Sequence, residues 1–423
     1  CDPVHFDVLG IPHTMVVWGE GSNHDPALLA KDVTKCVEAN AESFGGALPY
    51  DHYTFIVHIS DKGRGGLEHL NSTVLLWGPD FRKGQAGEEW QDGQIEDDRY
   101  LGFMRLVAHE HFHVWNVKRI RPAVLGPFDY QQENYTRDLW TVEGVTSYFE
   151  VVGVRRAGMI DGRRFLDIYA KNAMQLSRVP GRLLHSLEDA SLNAWVKLYR
   201  PNEHTLNSSV SYYLKGEVVC FLLDAHIRVQ TQGTRSLDDV LRLLWNHFEQ
   251  TGEGYPEGSY GDWVLRATDV DVTDFMEHHV RSAEPLEYTQ LHAIGLELHT
   301  SHSSELPKAL LGINYNIIEG RAVVDYATTA GPAHAAGLYA GDELVAFDGR
   351  KLHATSLDKL LRLQTPGDTI TVHAFRRGHL IERDVTLGEA PADIWRFVPR
   401  EDITQAQRDL LKSWIGEDFR VHS

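Results

Sequence analysis

Between Asp97 and Arg281 the sequence carries five successive stretches with apolar residues at three-to-four spacing, and beyond about residue 282 that spacing gives way to short β-like runs. A helix buries a stripe and a strand buries a face, so the first region must pack helix on helix and the second must close a sheet. The helical stretches are "DDRYLGFMRLVAHEHFHVWN", "DLWTVEGVTSYFEVVGVRRAG", "DGRRFLDIYAKNAMQLSRV", "SYYLKGEVVCFLLDAHIRVQT" and "SLDDVLRLLWNHFEQ". The later runs, "GINYNI", "AVVDYAT", "DELVAFDG", "TITVHAFRR" and "ERDVTL", are separated by Gly and Pro turns and one helical stretch, "SLDKLLRLQ". The pattern predicts an α+β chain, with a mainly helical domain over residues 1–285, a small β-rich domain over 300–390 and a C-terminal helical tail over 391–423.

The start of the chain mixes element types. "FDVLGIPHTMVVWGEG" suits a strand, and "DPALLAKDVTKCVEANAESFGG" suits an amphipathic helix with Asp25 at the N-cap, Pro26 at the first helical position and Gly45 and Gly46 at the exit. "YTFIVHIS" reads as a buried strand, and "GRGGLEHLNSTVLLW" as a glycine-rich turn leading into a second strand.

Composition removes several function classes. With 41 basic against 60 acidic residues, a formal charge of −19 and no basic stripe, the chain is not expected to bind nucleic acid. It contains no apolar run long enough to predict a membrane span, and "CDPVHFDVLG" lacks the layout of a signal peptide, which leaves cytoplasm and periplasm both open. Cys1, Cys36 and Cys220 are far apart and lack CxxC spacing, so free buried thiols are expected rather than a cysteine metal site or a disulfide framework.

The chemistry concentrates in "LVAHEHFHVWN". Residues four apart on a helix share a face, so His109 and His113 can grip one ion, whereas His111 points to the back and is expected to pack or hydrogen-bond there. Glu110 stands where a carboxylate reaches a water at the metal without ligating the metal, as in HExxH zinc hydrolases. The flanks are apolar, and buried imidazoles beside a carboxylate are costly without a partner such as a metal. A catalytic zinc needs a third protein ligand, and Glu143, alone in the apolar helix "DLWTVEGVTSYFE", is the candidate; Glu150, nearer the end of that pattern, reads as solvated.

"HEHFHVWNVKRIRP", "ENYTRDLWTVEGVTSYFE", "PGRLLHSLEDASLNAWVKLYRPNEHTLNSSVSYYLKGE" and "GGLEHLNST" together resemble the glycyl aminopeptidase family of zinc metallopeptidases. The resemblance implies a thermolysin-like catalytic domain followed by a PDZ domain. It also implies an N-terminal β-domain that this chain does not contain, so the chain looks like a fragment or a shortened relative. One zinc ion held by His109, His113 and Glu143 is implied, with Glu110 as general base. The tyrosine of "YYLKG" that would donate to the developing oxyanion is Tyr213, with Tyr212 as the alternative, and Glu68 of "GGLEH" would anchor the free α-amine of the substrate. Two residues depart from the family pattern: His111 stands where an aromatic is usual, and Glu217 would add negative charge beside the oxyanion tyrosine.

The implied activity is removal of N-terminal residues, glycine or other small ones, from peptides with a free N-terminus. "GINYN", "GPAHAAGLYAGDELVAFDG" and "TPGDTITVHAFRRG" resemble a PDZ domain, with "LLGINY" around Leu311 to Ile313 as the loop for a C-terminal peptide ligand; a lid or spacer role is equally open. Three other readings stand beside the aminopeptidase: an endopeptidase on the same scaffold, an inactive PDZ peptide-binding protein and, more remotely, an epoxide hydrolase.

Overall fold

The computed structural model describes residues 2–19, 21–81, 94–129, 131–352 and 357–417. The first predicted strand is a hairpin: β1 (Val4–Val8) and β2 (Ile11–Trp18) pair antiparallel around Leu9 and Gly10, both at positive φ. Helix α1 (Pro26–Ser43) then crosses to β3 (Tyr53–Ile59), which lies parallel to β2. Asp25 caps α1 by accepting from the amides of Ala27 and Leu28, Pro26 opens the helix, and Gly45 and Gly46 leave it at φ +95° and +92°.

The expected glycine-rich turn is itself a strand. β4 (Gly65–Glu68) pairs antiparallel with β5 (Ser72–Trp77), and β5 lies parallel to β3, giving a sheet of order β1-β2-β3-β5-β4. Pairing forces β4 into extended backbone along the edge of the sheet nearest helix α2 (Asp98–Phe112).

The helical region follows. A π-helical turn, Trp140–Gly144, runs into α3 (Val145–Arg156), and then come α4 (Gly162–Ser177), α5 (Leu187–Leu192), α6 (Thr205–Ser208), α7 (Tyr212–Gln230), α8 (Leu237–Thr251), α9 (Tyr260–Thr268) and α10 (Thr273–Met276). At the centre α3 packs on both α2 and α7, and the π-turn packs on α7. Gly144 and Gly216 permit this approach, because a Cβ on Gly144 would sit 2.6 Å from the Cα of Gly216. Cys36 and Cys220 are free and buried in this core; Cys1 lies outside the described residues.

The chain leaves the first core along β6 (Leu296–Ser301) and builds a second unit from β7 (Ala309–Leu310), β8 (Ile313–Ile318), β9 (Arg321–Ala327), α11 (Pro332–Ala335), β10 (Glu343–Phe347), β11 (Arg350–Lys351), α12 (Leu357–Leu361), β12 (Thr369–Arg376), β13 (His379–Thr386) and β14 (Gly388–Glu389). Its main sheet runs β13-β12-β10-β9-β8, its small core includes Leu344, Ile370 and Val385, and buried Asp342 is gripped by Arg376 through two contacts of 2.7 Å. β15 (Ile394–Pro399) then pairs antiparallel with β6, and α13 (Gln405–Ile415), capped reciprocally by Thr404 and Gln407, brings Trp414 and Ile415 into the first core. The segment expected as a helical tail therefore includes a strand, and its apolar face is covered by the helical region. The two units are also clamped by Asn207 of α6, whose amide donates to Ala327 O at 2.8 Å and accepts from Thr329 N at 2.9 Å.

Candidate active site

At the C-terminal end of α2 the imidazoles of His109 and His113 converge on one carboxylate of the π-turn. His109 Nε2 lies 3.2 Å and His113 Nε2 3.4 Å from Glu143 Oε2. A π-turn adds a residue to the helical register and is common where a helix must aim a functional side chain. The opposite face of each ring is engaged. His113 Nδ1 lies 2.7 Å from the carbonyl of Asn116, and His109 Nδ1 lies 2.9 Å from Glu150 Oε2. Each Nδ1 must donate to its acceptor, so in the neutral ring each Nε2 is a lone pair. Two lone pairs aimed at a carboxylate repel it unless a cation or a proton lies between them. The three groups offer ligand atoms that all lie within 4.8 Å of one another.

Protons on the rings would answer the carboxylate as a cation would, and the electrostatics show how strongly the three groups charge one another. Burial works against ionising Glu143, but His113 and His109 outweigh it and hold the carboxyl well below its ordinary range. Burial likewise opposes protonation of His109, while Glu143 and Glu150 raise it well above the usual imidazole value.

Glu110 is 4% exposed, and its Oε2 has no hydrogen-bond partner among the described residues. Burial pushes its carboxyl up to about 7, against the pull of His113 and His109. The side chain lies against β4 at Gly66, where a Cβ would collide with the Glu110 carboxyl. Glycine is needed there so that the edge strand can run beside the carboxylate.

Glu68, at the end of β4, lies within 4.8 Å of both Glu110 and His113 by their oxygen and nitrogen atoms. Its Oε1 is 2.9 Å from Lys118 Nζ. Burial raises its pKa, but His113 and Lys118 overcome this and leave it lowered.

Tyr212 and Tyr213 open α7, and both approach the cluster because the Gly144–Gly216 contact seats that end of α7 on the π-turn. Tyr213 stacks over His109 with ring centroids 6.4 Å apart, and Tyr212 is 1% exposed; Tyr199 Oη lies 3.4 Å and 3.2 Å from their respective hydroxyls. Burial, followed by Glu143, pushes the Tyr213 hydroxyl far up, so it stays an O–H donor.

His111 faces away from the cluster. Its Nε2 is 2.7 Å from Tyr50 Oη and its Nδ1 3.3 Å from Asn40 Nδ2, and burial pushes its pKa down to about 3, so the ring is neutral. Glu150 corrects the sequence reading. Rather than solvated, it is largely covered between His109 and Arg105, whose Nη2 is 2.6 Å from Glu150 Oε1. The missed signal was spacing, since Glu150 lies two helical turns beyond Glu143. Glu217 turns toward Asn172, which donates to it at 2.8 Å, and toward Arg105, whose Nη2 lies 3.8 Å away, while burial raises its carboxyl; its neighbours are these two side chains rather than the tyrosines.

Residues 102–219 match the family described as M61 glycyl aminopeptidase, and residues 309–387 match the PDZ domain. A crystal structure of an aminopeptidase N family protein from Idiomarina loihiensis is 30% identical to the chain, covers 98% of it and 70% of its own length, and superposes with a TM-score of 0.89. Two shorter matches are an HtrA-type protease with decapeptide (19% identity, 21% of this chain and 30% of that one, TM-score 0.20) and a serine endoprotease from Yersinia pestis (23%, 20% and 30%, 0.18). No curated protein matches the chain. Among the described residues no helix is long and apolar enough to cross a membrane. By identity and coverage, the chain belongs to the M61 glycyl aminopeptidase family: it is a peptidase that carries a C-terminal PDZ domain.

Proposed function

We propose that this protein is a zinc aminopeptidase in which His109, His113 and Glu143 hold one zinc ion. The observation that carries this reading is the convergence on Glu143 at 3.2 Å and 3.4 Å of two Nε2 atoms whose Nδ1 partners leave them as lone pairs. Ligands about 2.0–2.1 Å from a tetrahedral zinc lie about 3.3 Å apart, close to both imidazole–carboxylate separations here. Bound zinc would supply Lewis-acid polarisation of the scissile carbonyl and a lowered water pKa.

The chain's own groups do the rest. Glu110, buried and unpartnered at one oxygen, takes the proton of the attacking water and passes it to the leaving amine. Tyr213 donates its O–H to the oxyanion, a contact that strengthens only as charge develops. Tyr212 packs beneath it as a substrate-side wall. Glu68 binds the substrate ammonium. Its carboxylate lies so near Glu110 and His113 that one residue fits between amine anchor and metal, which limits cleavage to the first residue; the preference for glycine or another small side chain is what the family implies. We assign this activity to a catalytic unit of residues 1–285, with the PDZ unit at 300–390 binding a C-terminal peptide and the segment 391–423 bracing the first unit.

One observation favours a second reading. Lys118 already pairs with Glu68 at 2.9 Å, and an ammonium in that position would suit an endopeptidase that needs no free substrate amine. The experiment that tests both is amino-acid release from Gly- and Ala-leading peptides and from their N-acetylated forms, by protein stripped of metal and then reloaded with one equivalent of zinc. Zinc-dependent release from the free-amine peptides alone supports the aminopeptidase. Cleavage of the acetylated set supports the endopeptidase, and activity in the stripped protein overturns the zinc assignment.

A further inference from the structure

A cleft of about 640 Å³ lies between the PDZ domain and the peptidase domain. Its PDZ side is the free edge of β8, which among the described residues pairs only with β9, together with Leu311 and with Leu361 of α12. At the head of β8, Gly312 turns in the left-handed region at φ +78°, and the amides of Leu311 and Gly312 donate to no other described residue. The other side belongs to the peptidase domain, namely the end of α4 and the turn after it, with Arg178, Arg182 and Leu183. Arg182 uses Nη1 on the carbonyl of Val179 at 3.0 Å, and its remaining guanidinium nitrogens meet no acceptor among the described residues.

That second wall is held in place. Gly181 lies directly on the backbone of Ser209, too close for any side chain, and two residues earlier Asn207 clamps α6 to the end of β9 with its paired hydrogen bonds. The two walls therefore present one fixed surface: an open strand edge, an apolar floor, unengaged amides at one end, and two arginines opposite. Extended backbone satisfies a strand edge, and a terminal carboxylate answers both amides and arginines.

We propose that the cleft is a composite site, shared by both domains, for the C-terminal segment of a partner protein ending in an aliphatic residue. The peptide adds to β8, its last side chain enters the pocket of Leu311 and Leu361, and Arg182 and Arg178 hold its acidic end from the peptidase side. Asp358, on α12, faces the same space and selects a basic or hydroxyl side chain upstream. This rests on the peptide-binding reading of the PDZ domain and adds that the peptidase domain is part of the binding site.

The test uses the full chain carrying Glu110→Gln and two pools of N-terminally fluorescein-labelled decapeptides, aliphatic at the last position and randomised at the three before it. One pool ends in a free carboxylate and the other in an amide, and binding is read by anisotropy. The acid pool is expected to bind and the amide pool to bind at least about tenfold more weakly. Arg178→Ala with Arg182→Ala should weaken acid binding about tenfold, the usual scale for a lost charge-assisted contact. Leu183→Asp, at a position 45% exposed and so safe for folding, should weaken it as well. Acid-pool binding that is unchanged in all these variants would overturn the composite wall while leaving the PDZ groove as a peptide site. Binding of neither pool would overturn both.

Discussion

In the peptidase domain the site is a set of buried charged side chains that answer one another: Glu143 faces two imidazoles, Glu150 stands between His109 and Arg105, and Asn172 holds Glu217. In the PDZ domain the cleft presents a strand edge, backbone amides and aliphatic side chains, and the buried charge there, Asp342 with Arg376, serves packing away from the groove. On the proposed functions, the difference follows from what each site would recognise. Buried charge is tolerated only when paired, so a site for a cation or a developing oxyanion forces a particular set of residue types into proximity. Strand addition is recognised by main chain, so almost any sequence of the right period can build it.

Breaking the charged side of this comparison should give the largest effect. Glu110→Gln removes the only proposed proton carrier and should lower kcat by about 10³-fold or more, within the range for general acid–base groups. Zinc content measured on the same preparation should be unchanged, and a variant that keeps its turnover would end the base assignment.

Tyr213→Phe should lower kcat by about 10²-fold with little change in KM, since its contact forms in the transition state. Tyr212→Phe should cost much less. Steady-state kinetics of the pair will show whether the roles are reversed.

Glu150→Gln leaves all three proposed ligands in place but removes the carboxylate that fixes His109, and should weaken zinc binding by about 10–100-fold. Competition against a chromophoric chelator measures this directly. Unchanged affinity would mean that Glu150 serves packing alone.

The effect furthest from the active-site chemistry concerns acid stability. Burial pushes His279 down to about 4, with His278 and Lys215 adding to the shift. A folded pKa below the unfolded value of about 6.5 gives stability that is complete above about pH 6.5 and is lost as pH falls toward 4, on the order of 3 kcal/mol at most. Thermal melting from pH 7 to 4 should show this loss in the peptidase domain, and His279→Leu should flatten it. An unaltered profile would place the acid sensitivity elsewhere.

The same contrast explains what was legible in the residues alone. His109, Glu110 and His113 could be singled out as a candidate site because helical spacing and charge in an apolar setting leave few alternatives, and Glu143 was added as the proposed third ligand; the structure brings His109, His113 and Glu143 together. Glu150 was read as solvated because periodicity does not reveal which neighbour covers a helix face; Arg105 and His109 cover it from α2. The glycine-rich stretch before β5 was read as a turn because glycine lowers strand propensity, and only pairing with β5 and the crowding of Glu110 at Gly66 make it an edge strand.

By itself the sequence determined the order of helical and β-rich regions and the shared face of His109 and His113 on α2, because each depends on period and residue type along a single element; the first core runs on past residue 282, through Leu291, Ile294 and Leu296. The tertiary structure decided that β15 and α13 return to the first core, that Lys118 meets Glu68, and that Arg182 faces the groove of the other domain. Each of these joins segments far apart in the chain, and which distant surfaces cover one another is set by packing of the whole, which no local pattern encodes.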